Sequence, residues 1–117
     1  MSKAAKSLFI FGIYAILTGL AFLAIPDALI SLLQLPPISA GWARTIGLLV
    51  LVIGTYDIIS ARSEVLPLIK ASVLVRFGFA LGISALVVTG QMPVAAMPLG
   101  LIDAAGAIWT QLALKSK

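Results

Sequence analysis

Apolar residues run along this chain in four long blocks, each bounded by charged residues, prolines or a glycine-containing turn. The first, residues 8–25 (LFIFGIYAILTGLAFLAI), is uncharged, follows Lys3 and Lys6, and is ended by Pro26 and Asp27. The second, 42–61, has Trp42 and Arg44 at one end and Arg62 just beyond the other. The third covers 67–89 and the fourth 93–114, with the turn Gly90-Gln91-Met92-Pro93 between them. A helix of about 20 apolar residues crosses the hydrocarbon core of a bilayer, and each block meets that length. The first block exceeds the usual h-region of a signal peptide and no A-x-A cleavage site follows it, so it reads as a span.

Between the first two blocks lies 27–35 (DALISLLQL), too short to cross. Its leucines Leu29, Leu32 and Leu33 stand at i, i+3 and i+4, which predicts one or two helical turns lying in the interface, stopped by Pro36 and Pro37. The short 62–67 connection, with Arg62, Ser63, Glu64 and Pro67, predicts that spans two and three form an antiparallel hairpin. The fold expected is all-α: an integral membrane four-helix bundle, one domain over residues 1–117, with a short interfacial helix between spans one and two.

Small residues suggest how the helices pack. Gly12 and Gly19 on span one repeat every seven residues, as do Gly47, Gly54 and Ala61 on span two. Gly78 and Gly82 form a GxxxG on span three, and Gly100, Ala104 and Ala107 line span four. Small residues let backbones approach closely where lipid is as apolar as the helices themselves. The spacing shared by spans one and two also hints at an internal repeat of helical hairpins.

Composition removes most other architectures. The chain is 62% hydrophobic and 10% charged, with mean hydropathy +1.18, against roughly 25% charged residues in a soluble domain. Four spans consume nearly all 117 residues, leaving no room for a soluble catalytic domain. With no Cys and no His, the usual donors for zinc, copper, iron–sulfur and His-ligated haem are missing, so no metal or other cofactor is expected. Cys–His and Ser–His nucleophile chemistry is excluded on the same ground. The net charge of +4 comes from basic residues at the ends of apolar blocks, where phospholipid headgroups rather than nucleic acid meet them. Lys3, Lys6, Arg62, Lys70, Lys115 and Lys117 fall near one surface and Arg44 near the other, so both termini are expected in the cytoplasm, in a bacterial inner membrane. Trp42 and Trp109 read as interfacial anchors. Tyr56, beside Asp57, reads as a packing tyrosine.

Asp57, Arg76 and Asp103 interrupt the spans, where an ionised residue costs roughly 2.5–3.5 kcal/mol. Counting at 1.5 Å per residue, Arg76 and Asp103 lie about 14 and 17 Å from the same surface, and Asp57 roughly 8 Å from it. The matched depths predict an Arg76–Asp103 ion pair across the hairpin of spans three and four, with Asp57 also within reach of Arg76. Two carboxylates and one guanidinium leave one negative charge over, a candidate for binding a cation or a proton. Gly100, Ala107 and Thr110 share the face of Asp103, and Gly54 and Ala61 that of Asp57, so both acids are expected to point into the bundle or toward another protein.

The stretch Ala43-Arg44-Thr45-Ile46-Gly47-Leu48-Leu49-Val50-Leu51-Val52-Ile53-Gly54, a polar start followed by two glycines a heptad apart, resembles the hairpins of DoxX-like small four-span bacterial membrane proteins, and the order of spans agrees over nearly the whole chain. Intramembrane acids in a four-span bundle also resemble, in architecture, the EXPERA sterol-isomerase group; neither resemblance assigns a catalytic residue. The leading expectation is a non-enzymatic bundle surrounded by membrane lipids that oligomerises with itself or joins other subunits of a membrane complex. A small carrier or proton/cation pathway using Asp57 and Asp103 is the second, and an isomerase-like membrane enzyme acting on a lipid-like substrate the third.

Overall fold

The structure, a computed structural model, describes residues 1–115. Lys117, counted above with the basic residues of the cytoplasmic side, lies outside the described residues. The elements are α1 (Lys3–Ala24), α2 (Pro26–Leu32), α3 (Ala40–Arg62), α4 (Leu66–Val88), a 3-10 turn (Val94–Ala96) and α5 (Met97–Lys115). Among the described residues there is no strand, and four helical stretches are long and apolar enough to cross a membrane. The short helix expected between the first two long ones is α2.

Capping chemistry sets the helix ends. Ser2 Oγ accepts from Ala5 N–H at 3.1 Å and Ser39 Oγ from Trp42 N–H at 3.2 Å, each satisfying a donor that the first turn leaves free. The Ser2 cap starts α1 five residues before its uncharged run, drawing Lys3 and Lys6 into the helix. Pro67 sits in the first turn of α4, where a missing N–H costs nothing. Helices α2, α3 and α4 all end with a left-handed residue, Gln34 (φ 54°), Glu64 (φ 53°) and Gly90 (φ 80°). In each case the next amide closes back onto the helix, Leu35 onto Ile30 O, Val65 onto Ser60 O and Gln91 onto Leu86 O. At the other end of the molecule, Arg44 Nε donates to Leu23 O at 3.1 Å, putting a cation on the C-terminal carbonyls of α1.

The helices form a flattened bundle, 44 × 30 × 18 Å, in the spatial order α3, α1, α5, α4. Helix α1 lies along α3, with its other flank on α5, and α4 packs mainly on α5. The α1–α3 seam explains the heptad glycines. A Cβ on Gly12 would come 3.2 Å from Gly54 O, and one on Gly54 3.0 Å from Gly12 O. One on Gly19 would come 2.8 Å from Gly47 O, and the reverse is also 2.8 Å. A heptad further along, Ala5 and Ala61 are both fully buried in the core cluster at the same end of the seam. The shared spacing therefore marks two faces that pack antiparallel on one another, which accounts for it without an internal repeat.

Two expectations about packing are corrected. Helices α3 and α4 are joined by a tight turn yet touch little, because the small-residue face of α3 is already occupied by α1. Within the protomer Gly78 and Gly82 pack against no other helix: a Cβ at either position meets no atom of another helix within 4 Å. Gly100 does pack, 3.4 Å from Ala80 Cα on α4 by the same measure.

Candidate functional site

Arg76 is 3% exposed, the one buried charge among the described residues. Its guanidinium is fixed on three sides. Nε donates to Ser72 O at 3.2 Å, and Nη2 donates to Ser72 Oγ at 3.1 Å and to Thr110 Oγ1 on α5 at 2.8 Å. The plane rests on the Phe11 ring of α1, with Cζ 4.8 Å from the centroid, a cation–π contact that strengthens when desolvated. Phe11 is itself steadied by Tyr14, with ring centroids 5.6 Å apart.

Counting hydroxyl hydrogens gives the direction of the network. Ser7 Oγ spends its one hydrogen on Ala4 O at 2.7 Å. Thr110 Oγ1, 2.7 Å from Ser7 Oγ, therefore donates to Ser7 while accepting from Arg76. The chain Arg76, Thr110, Ser7, Ala4 ties α4, α5 and α1 together through groups that are all buried.

The direct Arg76–Asp103 ion pair expected from matched depths is not formed. Among the described residues no arginine or lysine nitrogen comes within 4.0 Å of a carboxylate oxygen. Matched Cα depths do not place side-chain ends together, because every Cα–Cβ bond tilts toward its own helix N-terminus. Helices α4 and α5 are antiparallel, so the two side chains lean opposite ways. Arg76 reaches back one turn to Ser72 and meets α5 at Thr110, about 10 Å along the axis from Asp103.

The three charges nevertheless share one neighbourhood. Arg76 lies in the field of both Asp57 and Asp103, and the two carboxylates feel each other. Tyr14 on α1 lies in the field of Asp103. Both aspartates are half-buried, on faces whose neighbours Gly54, Ala61, Gly100, Ala107 and Thr110 are buried, as their helical spacing implies. One donor on the guanidinium is unsatisfied: Arg76 Nη1 is buried with no hydrogen-bond partner. It lies against Gly106 of α5, where a Cβ would stand 3.0 Å from it.

Trp42 and Trp109 are exposed on the outside of the bundle, at 68% and 47%. Sequence reading missed Ser7, Ser72, Phe11 and Gly106. For Ser7 and Ser72 the available signal was a hydroxyl inside an apolar run, which needs a partner when buried. Compared with known families, characterised proteins and solved structures, the chain finds no match.

Proposed function

We propose that this chain is a non-enzymatic integral membrane protein that works by assembly. It is a helix-bundle subunit of a homo-oligomer or of a larger membrane complex, set in a bacterial inner membrane with both termini cytoplasmic and built like the DoxX-like four-span proteins. The observation that carries this reading is the outward face of α4. Ala71, Val75, Gly78, Gly82, Ala85 and Thr89 alternate at spacings of four and three, and all are exposed. A glycine inside a helix costs roughly 0.5–1 kcal/mol relative to alanine. At Gly12, Gly19, Gly47 and Gly54 that cost is offset by backbone contact between α1 and α3, whereas at Gly78 and Gly82 nothing inside the protomer offsets it. A helix from another subunit, seated on this seam, would.

The test is the mass of the protein extracted together with its surrounding lipid in copolymer nanodiscs. Wild type is expected as a multiple of the 12.2 kDa chain or as a stoichiometric complex. The double variant Gly78→Leu/Gly82→Leu, at positions where an added Cβ meets no other helix of the same protomer within 4 Å, is expected as single copies with unchanged helix content. Wild type found as single copies contradicts the proposal.

A further inference from the structure

We propose that the groove between the start of α1 and the end of α5 binds one anionic phospholipid, with its phosphate on Lys3 and Lys6 and the upper part of an acyl chain along Trp109, Leu112 and Ala113. The inference rests on the membrane placement proposed above and not on assembly, since the groove is lined by no residue of α4.

A polar contact behind the groove draws its two walls together. Ser7 on α1 and Thr110 on α5, both buried, have their hydroxyl oxygens 2.7 Å apart. Their neighbours Lys3, Lys6, Trp109, Leu112 and Ala113 line a groove of about 370 Å³ that opens to the outside. That volume seats a headgroup and the first part of one chain, and leaves the rest of the lipid in the bilayer. The walls divide as a phospholipid does, cationic on α1 and apolar on α5. From Lys115 to Trp109 the apolar wall runs about 9 Å inward along the helix, from headgroup depth toward the acyl chains, and an indole is favoured at that boundary. Two further observations select a negative headgroup. Lys3 and Lys6 stand one turn apart at the positive end of the α1 dipole, with no acid in the first turn, where cations are unfavourable unless an anion faces them. Among the described residues no lysine nitrogen comes within 4.0 Å of a carboxylate oxygen, and the acid at this end, Glu64, accepts from the Ser2 N–H at 2.6 Å. A phosphodiester supplies the missing charge, whereas a zwitterionic lipid brings its own cation close to the same phosphate and gains less.

The experiment is quenching of Trp109 fluorescence by brominated lipid in phosphatidylcholine bilayers, with Trp42→Phe as the parent so that Trp109 is the only indole. A small fraction of the lipid carries bromine on its acyl chains, either as phosphatidylglycerol or as phosphatidylcholine. At equal mole fraction the brominated phosphatidylglycerol is expected to quench about five times as strongly, the gain that one lysine near a membrane surface gives toward anionic lipid. Adding Lys3→Gln/Lys6→Gln should make the two lipids equal. Adding Arg62→Gln/Lys70→Gln instead, which removes as much charge from the end of the bundle that carries Glu64 and Ser2, should keep the preference. If the lysine pair variant does not fold, Lys6→Gln alone takes its place and must weaken the preference. Equal quenching by the two lipids in the parent overturns the site, as does a preference that survives the loss of both lysines or disappears equally with Arg62 and Lys70. Quenching by neither lipid overturns the membrane placement along with the site.

Discussion

Replacing Thr110 with valine keeps the shape of a fully buried side chain and removes its hydroxyl. Arg76 Nη2 then keeps Ser72 Oγ as its sole acceptor, and Ser7 Oγ loses the donor that tied α5 to α1. Stranding buried polar groups this way costs about 1–3 kcal/mol, so Thr110→Val should lower stability by that amount in denaturant titrations in micelles. Thr55→Val is the control, because that exposed hydroxyl bonds only to Leu51 O in its own helix; its effect should stay within about 0.5 kcal/mol. Arg76, Asp57 and Asp103 could be singled out in the sequence, since an ionised residue in an apolar run is visible without any structure. The partner of Arg76 was not legible from depth alone. Residue counting locates a Cα, whereas a guanidinium ends several ångströms away in a direction set by helix polarity. Gly106 gave no signal, because its importance depends on where Nη1 comes to rest.

The glycines of the long helices separate into two classes that sequence spacing could not distinguish. Gly47→Ala drives a methyl to 2.8 Å from Gly19 O and 2.9 Å from Phe22 Cβ, and neither a backbone oxygen nor a Cβ moves without shifting its helix. Overpacking of this kind costs typically about 1–3 kcal/mol, to be read as a lowered melting temperature in detergent. Gly82→Ala meets nothing and should leave an isolated protomer unchanged or up to about 1 kcal/mol more stable through helix propensity. A third change tests the helix ends. Gln34 holds φ 54° at the end of α2, a conformation that costs a side-chain-bearing residue about 1–2 kcal/mol, so Gln34→Gly should raise the melting temperature. The heptad on α1 and α3 was visible in the sequence; that the two heptads face each other was not, because spacing fixes a face and not its partner. The same limit applied to α3 and α4, adjacent in the chain and nearly apart in space.

At the scale of the whole molecule, the flattened order α3, α1, α5, α4 leaves α4 as the least enclosed long helix, with its small-residue seam outward and its buried charge, Arg76, inward. The bias of basic residues toward the end that carries the N-terminus implies an orientation, tested with an impermeant thiol reagent on intact cells, since the chain has no native cysteine. Ser2→Cys should be protected and Ile38→Cys, in the loop at the opposite end, labelled; the reverse pattern would invert the topology. Whether protein or lipid covers α4 is the central question, and a spin label reads it directly. With the label at Gly82→Cys in native membranes, collision with dissolved oxygen should be low, as between packed helices. A label at Leu17→Cys, 62% exposed on α1, should show the high value of a lipid-facing site. Equal, high oxygen accessibility at both positions would mean that α4 faces lipid and that the assembly role is wrong.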